Sequence, residues 1–297
     1  MKEFDCVIIG SGIAGMTSAI YLKRAGINTL IIESSAPGGQ MLRSFSIENY
    51  PGYKNIDGPS LAYNIFEQVN ELNTPYLYEE VIEVDFDNNI VKTTNNEIKY
   101  KYLIIATGRR PRKLNLTNEE LLEGKGISYC ALCDGNFYKD KEVIVVGGGN
   151  SAVEEALYLS NICKKVTVVY RGNKLKAEQN MIDKLNNKEN IEVLYNSELK
   201  EYIIKDNKLD KVLLNNDKTL DVDGIFMAIG YIPNSEIFNL ERVNDYILVD
   251  NNLKTSINDV YACGDIIRKE LYQLTTAVGE ASIVANNIIK DINNNLE

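Results

Sequence analysis

The 297-residue chain contains no histidine. That absence excludes Cys–His nucleophilic sites, histidine metal centres and histidine general acids. Any proton transfer falls to a carboxylate, a tyrosine, a lysine, a thiol or water. Positive charge is also scarce: 32 Lys and Arg stand against 42 Asp and Glu, a net charge of -10. Such a balance argues against nucleic acid or an anionic membrane as the main partner. No apolar run approaches the ~18 residues of a membrane span. The first run, Val7-Ile8-Ile9, is cut short by Gly10 and reads as a strand, not as a signal peptide. Low-complexity segments are missing too. What remains, at 44% hydrophobic content, is enough apolar material for a substantial core, and the length suggests two domains.

Cysteine is sparse, and only one pair has a motif spacing. Cys130 and Cys133 lie three positions apart, Asp134 follows them, and Cys6, Cys163 and Cys263 stand alone. This usage fits a reducing compartment, and a cytoplasmic address is the expectation. Helical spacing keeps the pair within disulfide reach. A bridge there closes a tiny loop and adds little stability, but it can open and close. Structural zinc needs four ligands, usually two such pairs or histidines, and the chain has neither. If the pair begins a helix, the helix dipole lowers the thiolate pKa of Cys130 and makes it the nucleophile. Asp134 supplies a proton donor without any histidine. The three lone cysteines read as small buried residues.

A nucleotide-binding signature stands on each side of the dithiol. Residues 5–9 read as a strand, Gly10-Ser11-Gly12-Ile13-Ala14-Gly15 as a tight turn, and the residues up to Ala25 as a helix ended by Gly26. A second strand at 29–32 closes on Glu33. Strand, G-x-G-x-x-G, helix, strand and acid form the dinucleotide-binding fingerprint in its required context. The glycines let the backbone approach a pyrophosphate at the helix N-terminus, and Glu33 can hold the ribose hydroxyls of an adenosine. Further on, strand 142–146 runs into Gly147-Gly148-Gly149-Asn150-Ser151-Ala152, a G-x-G-x-x-A turn, with a helix after it and a strand at 166–170. Gly147 follows Gly10 by 137 residues, and Met227-Ala228-Ile229-Gly230 echoes Ile105-Ala106-Thr107-Gly108. The fold class is therefore α/β, with two Rossmann-like dinucleotide-binding domains built by internal duplication around parallel sheets.

The intervening segments read as a long loop around Pro37-Gly38-Gly39-Gln40 and Glu48-Asn49-Tyr50-Pro51-Gly52, a helix at about 59–72, short strands over about 76–101 and a separate buried strand at 102–106. The basic run Arg109-Arg110-Pro111-Arg112-Lys113 reads as a solvated linker between domains. A strand at 260–262 enters Cys263-Gly264-Asp265, and a last helix spans about 275–289. The expected boundaries are a discontinuous first domain, 1–112 and 242–297, and a second, 113–241, that carries the dithiol.

Two nucleotide sites and a dithiol imply a flow of electrons. A nicotinamide delivers hydride, a dithiol takes two electrons, and a flavin converts between them. The ordered motifs G-S-G-I-A-G, G-G-Q, E-N-Y-P-G, A-T-G, C-A-L-C-D-G, G-G-G-N-S-A-V-E-E-A, A-I-G-Y-x-P-N and C-G-D closely resemble the low-molecular-weight bacterial thioredoxin reductases over nearly the whole chain. The resemblance implies FAD in the first domain, NADPH in the second, thioredoxin or a similar small redox protein as partner, and a homodimer. It implies that Cys133 faces the flavin, that Cys130 attacks the partner disulfide and that Asp134 supplies the proton. It assigns FAD to Gly10, Ser11, Gly12, Ile13, Ala14, Gly15, Glu33, Gly39, Gln40, Asn49, Gly108, Asp265 and Gln273. NADPH falls to Gly147, Gly149, Asn150, Ser151, Ala152, Arg171 and Lys176; no metal is implied.

The chain departs from that pattern at the donor site. Tyr170 stands 23 positions after Gly147, where Glu33 stands 23 after Gly10. Without an acid there, the second site lacks a standard grip on a ribose 2′-hydroxyl. NADPH members carry H-R-R-x-x-x-R, and this chain reads Tyr170-Arg171-Gly172-Asn173-Lys174-Leu175-Lys176. Lysine is a point charge where arginine offers a planar fork. Tyr272-Gln273 likewise replaces an Arg-Gln. These changes resemble a ferredoxin-dependent branch of flavin thioredoxin reductases, while the intact turn Gly147 to Ala152 points back to a nucleotide. A dithiol oxidase running the electrons in reverse, and a non-catalytic flavin sensor, are the competing functions.

Overall fold

A computed structural model describes residues 2–44 and 47–294. It divides into two compact units, one made of Met1–Leu42, Tyr50–Arg110 and Ile232–Glu297, the other of Arg43–Asn49 and Pro111–Tyr231. In the first unit a parallel core runs Tyr76–Leu77, Thr29–Ile32, Lys2–Ile9, Glu97–Ile105. Cys6 to Ile9 and all of Thr29–Ile32 are buried. Continuous burial is the mark of parallel strands covered on both faces. Helices Ile13–Arg24 and Leu274–Asn294 pack against each other, and Gly58–Glu71 packs on the former. Asp57 caps that last helix by accepting the Ser60 N–H at 2.8 Å, and Pro59 stands in its first turn.

Glu97–Ile105 is one strand, not the two expected from the sequence. One edge pairs with Lys2–Ile9 throughout. The other edge is shared: Ile90–Thr93 runs antiparallel to its first half, and Val260–Ala262 runs parallel to Leu103–Ile105. The first half alternates exposed and buried residues, while residues 102–105 are all buried. That change of pattern marks a change of neighbours, not a break in the strand.

The second unit holds a five-stranded parallel sheet in the order Ile191–Leu194, Lys165–Val169, Glu142–Val146, Gly224–Met227, Ile127–Ser128. The two-residue side-chain period sorts its core onto two faces. Val143, Val145, Val166, Val168 and Phe226 meet helices Asn150–Ser160 and Gln179–Asn186. Ile144, Val146, Val169, Ile225 and Met227 meet Tyr202, Val212 and Leu214 of an antiparallel sheet formed by Leu199–Lys205, Lys208–Leu214 and Thr219–Asp221. In each unit the glycine-rich turn leaves a strand with a parallel neighbour on both sides, Lys2–Ile9 in the first and Glu142–Val146 in the second. This is where an open α/β sheet forms its ligand crevice.

Candidate active site

The first turn is built by crowding. Gly10 has φ +101°, and a Cβ on it would stand 2.5 Å from the Ala106 carbonyl oxygen. Only glycine fits this position. Gly39, also left-handed at φ +54°, approaches Gly12 so closely that its Cβ would lie 3.2 Å from the Gly12 Cα, while Gly12 itself faces open space. Ser11 N–H donates to Glu33 Oε2 at 2.8 Å, and Ser35 N–H donates to Oε1 at 3.0 Å. The carboxylate thus fastens the end of the second strand to the turn. Ile13, Ala14 and Gly15 begin the helix above it. Gly264 backs onto Ala14, where a Cβ would come within 2.9 Å, and this places Asp265 beside the same helix start. Gln40 Nε2 donates to Asp265 Oδ2 at 3.5 Å. Gly108 accepts the Asn234 N–H at 3.0 Å, and the carbonyl of Gln273 accepts the Ala277 N–H at 3.1 Å at the start of the last helix. Asn49 belongs to the segment that groups with the second unit.

The expected solvated linker is in part a built feature. Arg109, its side chain 13% exposed, places Nε 3.3 Å from Asp265 Oδ2 and its guanidinium 3.7 Å from the centre of the Tyr272 ring. Lys269 reaches Asp265 Oδ1 at 3.4 Å and Glu280 at 2.8 Å. Arg110 pairs with Glu236, and Lys113 with Glu120. The basic run therefore carries structural partners: Asp265 and Glu236 fold back onto it from far along the sequence, and Glu120 from close by.

In the second unit, Cys130 and Cys133 form a disulfide with Cα atoms 5.3 Å apart. Cys130 is the N-cap of a one-turn helix, Ala131–Asp134, and its Sγ accepts the Cys133 N–H at 3.2 Å. The same amide can stabilise a thiolate on Cys130 once the bridge opens. Asp134 Oδ2 accepts the Ser128 hydroxyl at 2.6 Å, while Oδ1 is sealed from water with no hydrogen-bond partner. Burial raises the Asp134 carboxyl above its ordinary range, and the serine pulls it partly back. A carboxyl with raised proton affinity, next in sequence to the bridged Cys133, is suited to exchange a proton with sulfur. The lone cysteines are buried, and burial pushes Cys163 up to about 11 and Cys263 up to about 12. Burial raises Cys6 as well.

The second turn repeats the first. Gly147 has φ +144°, and a Cβ there would stand 3.0 Å from both the Ala228 carbonyl carbon and the Ala152 side chain. Gly149 opens onto free space at the start of helix Asn150–Ser160, with Asn150 and Ser151 exposed. Asn150 Oδ1 accepts the Glu178 N–H at 2.9 Å, and Lys176 N–H donates to the Gly148 carbonyl at 2.6 Å. Tyr170 packs its ring against Gly148 and Gly172, and a Cβ on either would collide with it. Arg171 and Lys176 are exposed on the loop between.

The pyridine nucleotide-disulphide oxidoreductase profile matches residues 4–281. Thioredoxin reductase of Bacillus subtilis is 39% identical and covers 97% of this chain and 94% of its own. That of Ureaplasma parvum is 40% identical, with 96% and 95% covered. The chain belongs to the pyridine nucleotide-disulphide oxidoreductases, in their low-molecular-weight thioredoxin reductase branch. The crystal structure of a Streptococcus pyogenes thioredoxin reductase superposes with a TM-score of 0.91 at 37% identity, covering 98% of this chain and 99% of that one.

Enzymes of the thioredoxin reductase family are FAD-dependent and use NADPH. The first turn suits FAD: Gly10 and Gly39 permit the tight turn and its close packing, Gly12 leaves bare backbone facing open space where a pyrophosphate can approach, and Glu33 can hold ribose hydroxyls. The second turn offers the same bare backbone at Gly149, with Arg171 and Lys176 as the cations for a phosphate. No described helix is long and apolar enough to cross a membrane. Sequence reasoning missed Arg109, Ser128 and the packing of Tyr170. Only Ser128 left a local signal, a hydroxyl two residues before the first cysteine and six before the acid.

Proposed function

We propose that this chain passes electron pairs from NADPH through FAD to the Cys130–Cys133 dithiol and on to thioredoxin or a similar small redox protein. The observation that carries the reading is the disulfide of Cys130 and Cys133 next to an acid whose Oδ1 is buried and unpartnered. Bound FAD supplies the conversion between hydride and dithiol chemistry. Gly10 to Gly15, Glu33, Gly39, Gln40, Gly108, Asp265 and Gln273 hold it, and the family resemblance adds Asn49. Gly147, Gly149, Asn150, Ser151 and Ala152 receive the NADPH pyrophosphate, and Arg171 and Lys176 its 2′-phosphate.

In the outgoing half-reaction the Cys130 thiolate attacks one sulfur of the partner disulfide. The partner's other sulfur leaves and takes a proton held by Asp134. Cys133, giving its proton to the now ionised Asp134, then attacks Cys130 Sγ and restores the intramolecular bridge; the second partner sulfur leaves and takes that proton, so one dithiol is oxidised and one disulfide reduced. Leu132, between the cysteines, is 52% exposed and Phe137 is 40% exposed. They give a protein partner apolar surface to cover beside the dithiol. The buried thiols suit a reducing cytoplasm, and the family resemblance extends to a homodimer, which sedimentation of the purified protein checks.

An anaerobic titration with NADPH, NADH and reduced ferredoxin, followed at the flavin absorbance, tests the donor. NADPH should bleach the flavin within turnover time. A second reading has ferredoxin as donor, favoured by the run Tyr170-Arg171-Gly172-Asn173-Lys174-Leu175-Lys176, which keeps only Arg171 outright of the family's phosphate-gripping H-R-R-x-x-x-R. No bleaching at millimolar NADPH, with bleaching by ferredoxin, would select it.

A further inference from the structure

Ser128 ends the short Ile127–Ser128 strand, 4% exposed, and its hydroxyl touches both parts of the dithiol machinery. Its oxygen lies 2.6 Å from Asp134 Oδ2, accepts the Cys130 N–H at 3.1 Å and stands 3.4 Å from the Cys130 carbonyl oxygen. A hydroxyl has one proton and two lone pairs. When Asp134 is ionised, that proton belongs to the nearer and charged acceptor, Oδ2. When Oδ2 carries a proton, the carboxylic O–H donates to Ser128, and the serine proton turns to the Cys130 carbonyl. The Cys130 amide keeps its acceptor in both states, so no polar group of this triad is stranded when the charge changes.

We infer that Ser128 is a positioning residue for the dithiol reaction: its hydroxyl turns with the charge of Asp134, tying that acid to the backbone of Cys130 in both protonation states. The tie occupies Oδ2 and leaves Oδ1 as the atom without a hydrogen-bond partner. The inference rests on reading Cys130–Cys133 as a working dithiol. The direction of the Asp134 shift agrees with it, since the serine opposes the effect of burial. Other ionisable groups on the elements packed around Asp134 are the two thiols, Tyr138, whose phenol burial raises to about 12, and Glu154, Tyr158 and Glu155 on helix Asn150–Ser160, the last raised to about 8. Asp223 lies close enough to raise Tyr138 further.

The test is alkylation of the reduced holoprotein by iodoacetamide across pH, with the Cys130 peptide quantified by mass spectrometry. This readout uses neither NADPH, ferredoxin nor thioredoxin, so it stands even if the proposed donor or partner fails. Wild type should show an inflexion that Asp134→Asn removes and that Glu155→Gln leaves in place. Ser128→Ala should move that inflexion to higher pH by about one unit, roughly tenfold in acidity, because a hydrogen bond to the charged form is lost. Ser128→Thr should restore it, and in the Asp134→Asn background Ser128→Ala should leave the profile unchanged. If the alanine variant does not fold, Ser128→Val against Ser128→Thr isolates the hydroxyl at constant shape. Three results overturn the inference: superimposed profiles for wild type and Ser128→Ala, equal inflexions for Thr and Val, or a shift that persists without Asp134.

Discussion

Glu155 allows the electrostatics of the second unit to be tested apart from its function. The residue lies on helix Asn150–Ser160, its Oε2 is buried without a hydrogen-bond partner, and burial, helped by Glu154, raises its carboxyl from 4.5 to about 8. Between those two values the folded chain keeps a proton that the unfolded chain has released. Stability therefore falls as pH rises through that window, and the loss is complete above the folded value. At about 1.4 kcal/mol per pH unit, the deficit approaches roughly 5 kcal/mol on the alkaline side and vanishes below pH 4.5. Glu155→Gln keeps the shape and removes the titration. Urea midpoints of the two proteins, read by circular dichroism, should coincide at about pH 4 and separate in favour of the glutamine variant through about pH 8. A difference that is constant across pH would refute the argument, as would a less stable glutamine variant on the alkaline side.

Gly10→Ala should yield protein that retains little FAD after gel filtration, since its Cβ meets the Ala106 carbonyl at a left-handed backbone position; full retention of the yellow colour would contradict this. Gly148→Ala drives a methyl into the Tyr170 ring and should cost about 1–3 kcal/mol in thermal unfolding. Adding Tyr170→Ala should recover most of that loss. Arg109→Lys keeps the charge near Asp265 but loses the flat stack on Tyr272, so a destabilisation of about 1 kcal/mol is expected; an unchanged melting temperature would make the stack energetically idle. Cys133→Ser should trap a mixed disulfide with thioredoxin, visible on a non-reducing gel and absent when Cys130 is also replaced.

The chemistry of this chain is written in short segments. A glycine turn is legible because its steric demand lies within a few residues of itself, and Cys130, Cys133 and Asp134 are legible because one helical turn brings them together. Strand 97–105 was misread at its middle because the pattern of burial records neighbours, and its second edge is shared by two strands from different parts of the chain. Arg109 looked like a solvated charge for a similar reason: Asp265 and Tyr272, which hold it, arrive from the far end of the sequence.

The sequence by itself determined the two nucleotide turns, the redox pair and the absence of histidine chemistry, since each depends on residue type and local spacing alone. Only the tertiary structure decided what the polar atoms do. It left Asp134 Oδ1 buried and unpartnered, set Ser128 between that acid and the Cys130 backbone, and wedged Tyr170 between two glycines. The physical reason is desolvation. Spacing can bring groups together, but the surrounding fold determines which of them lose water, and water loss sets their charge and their partners.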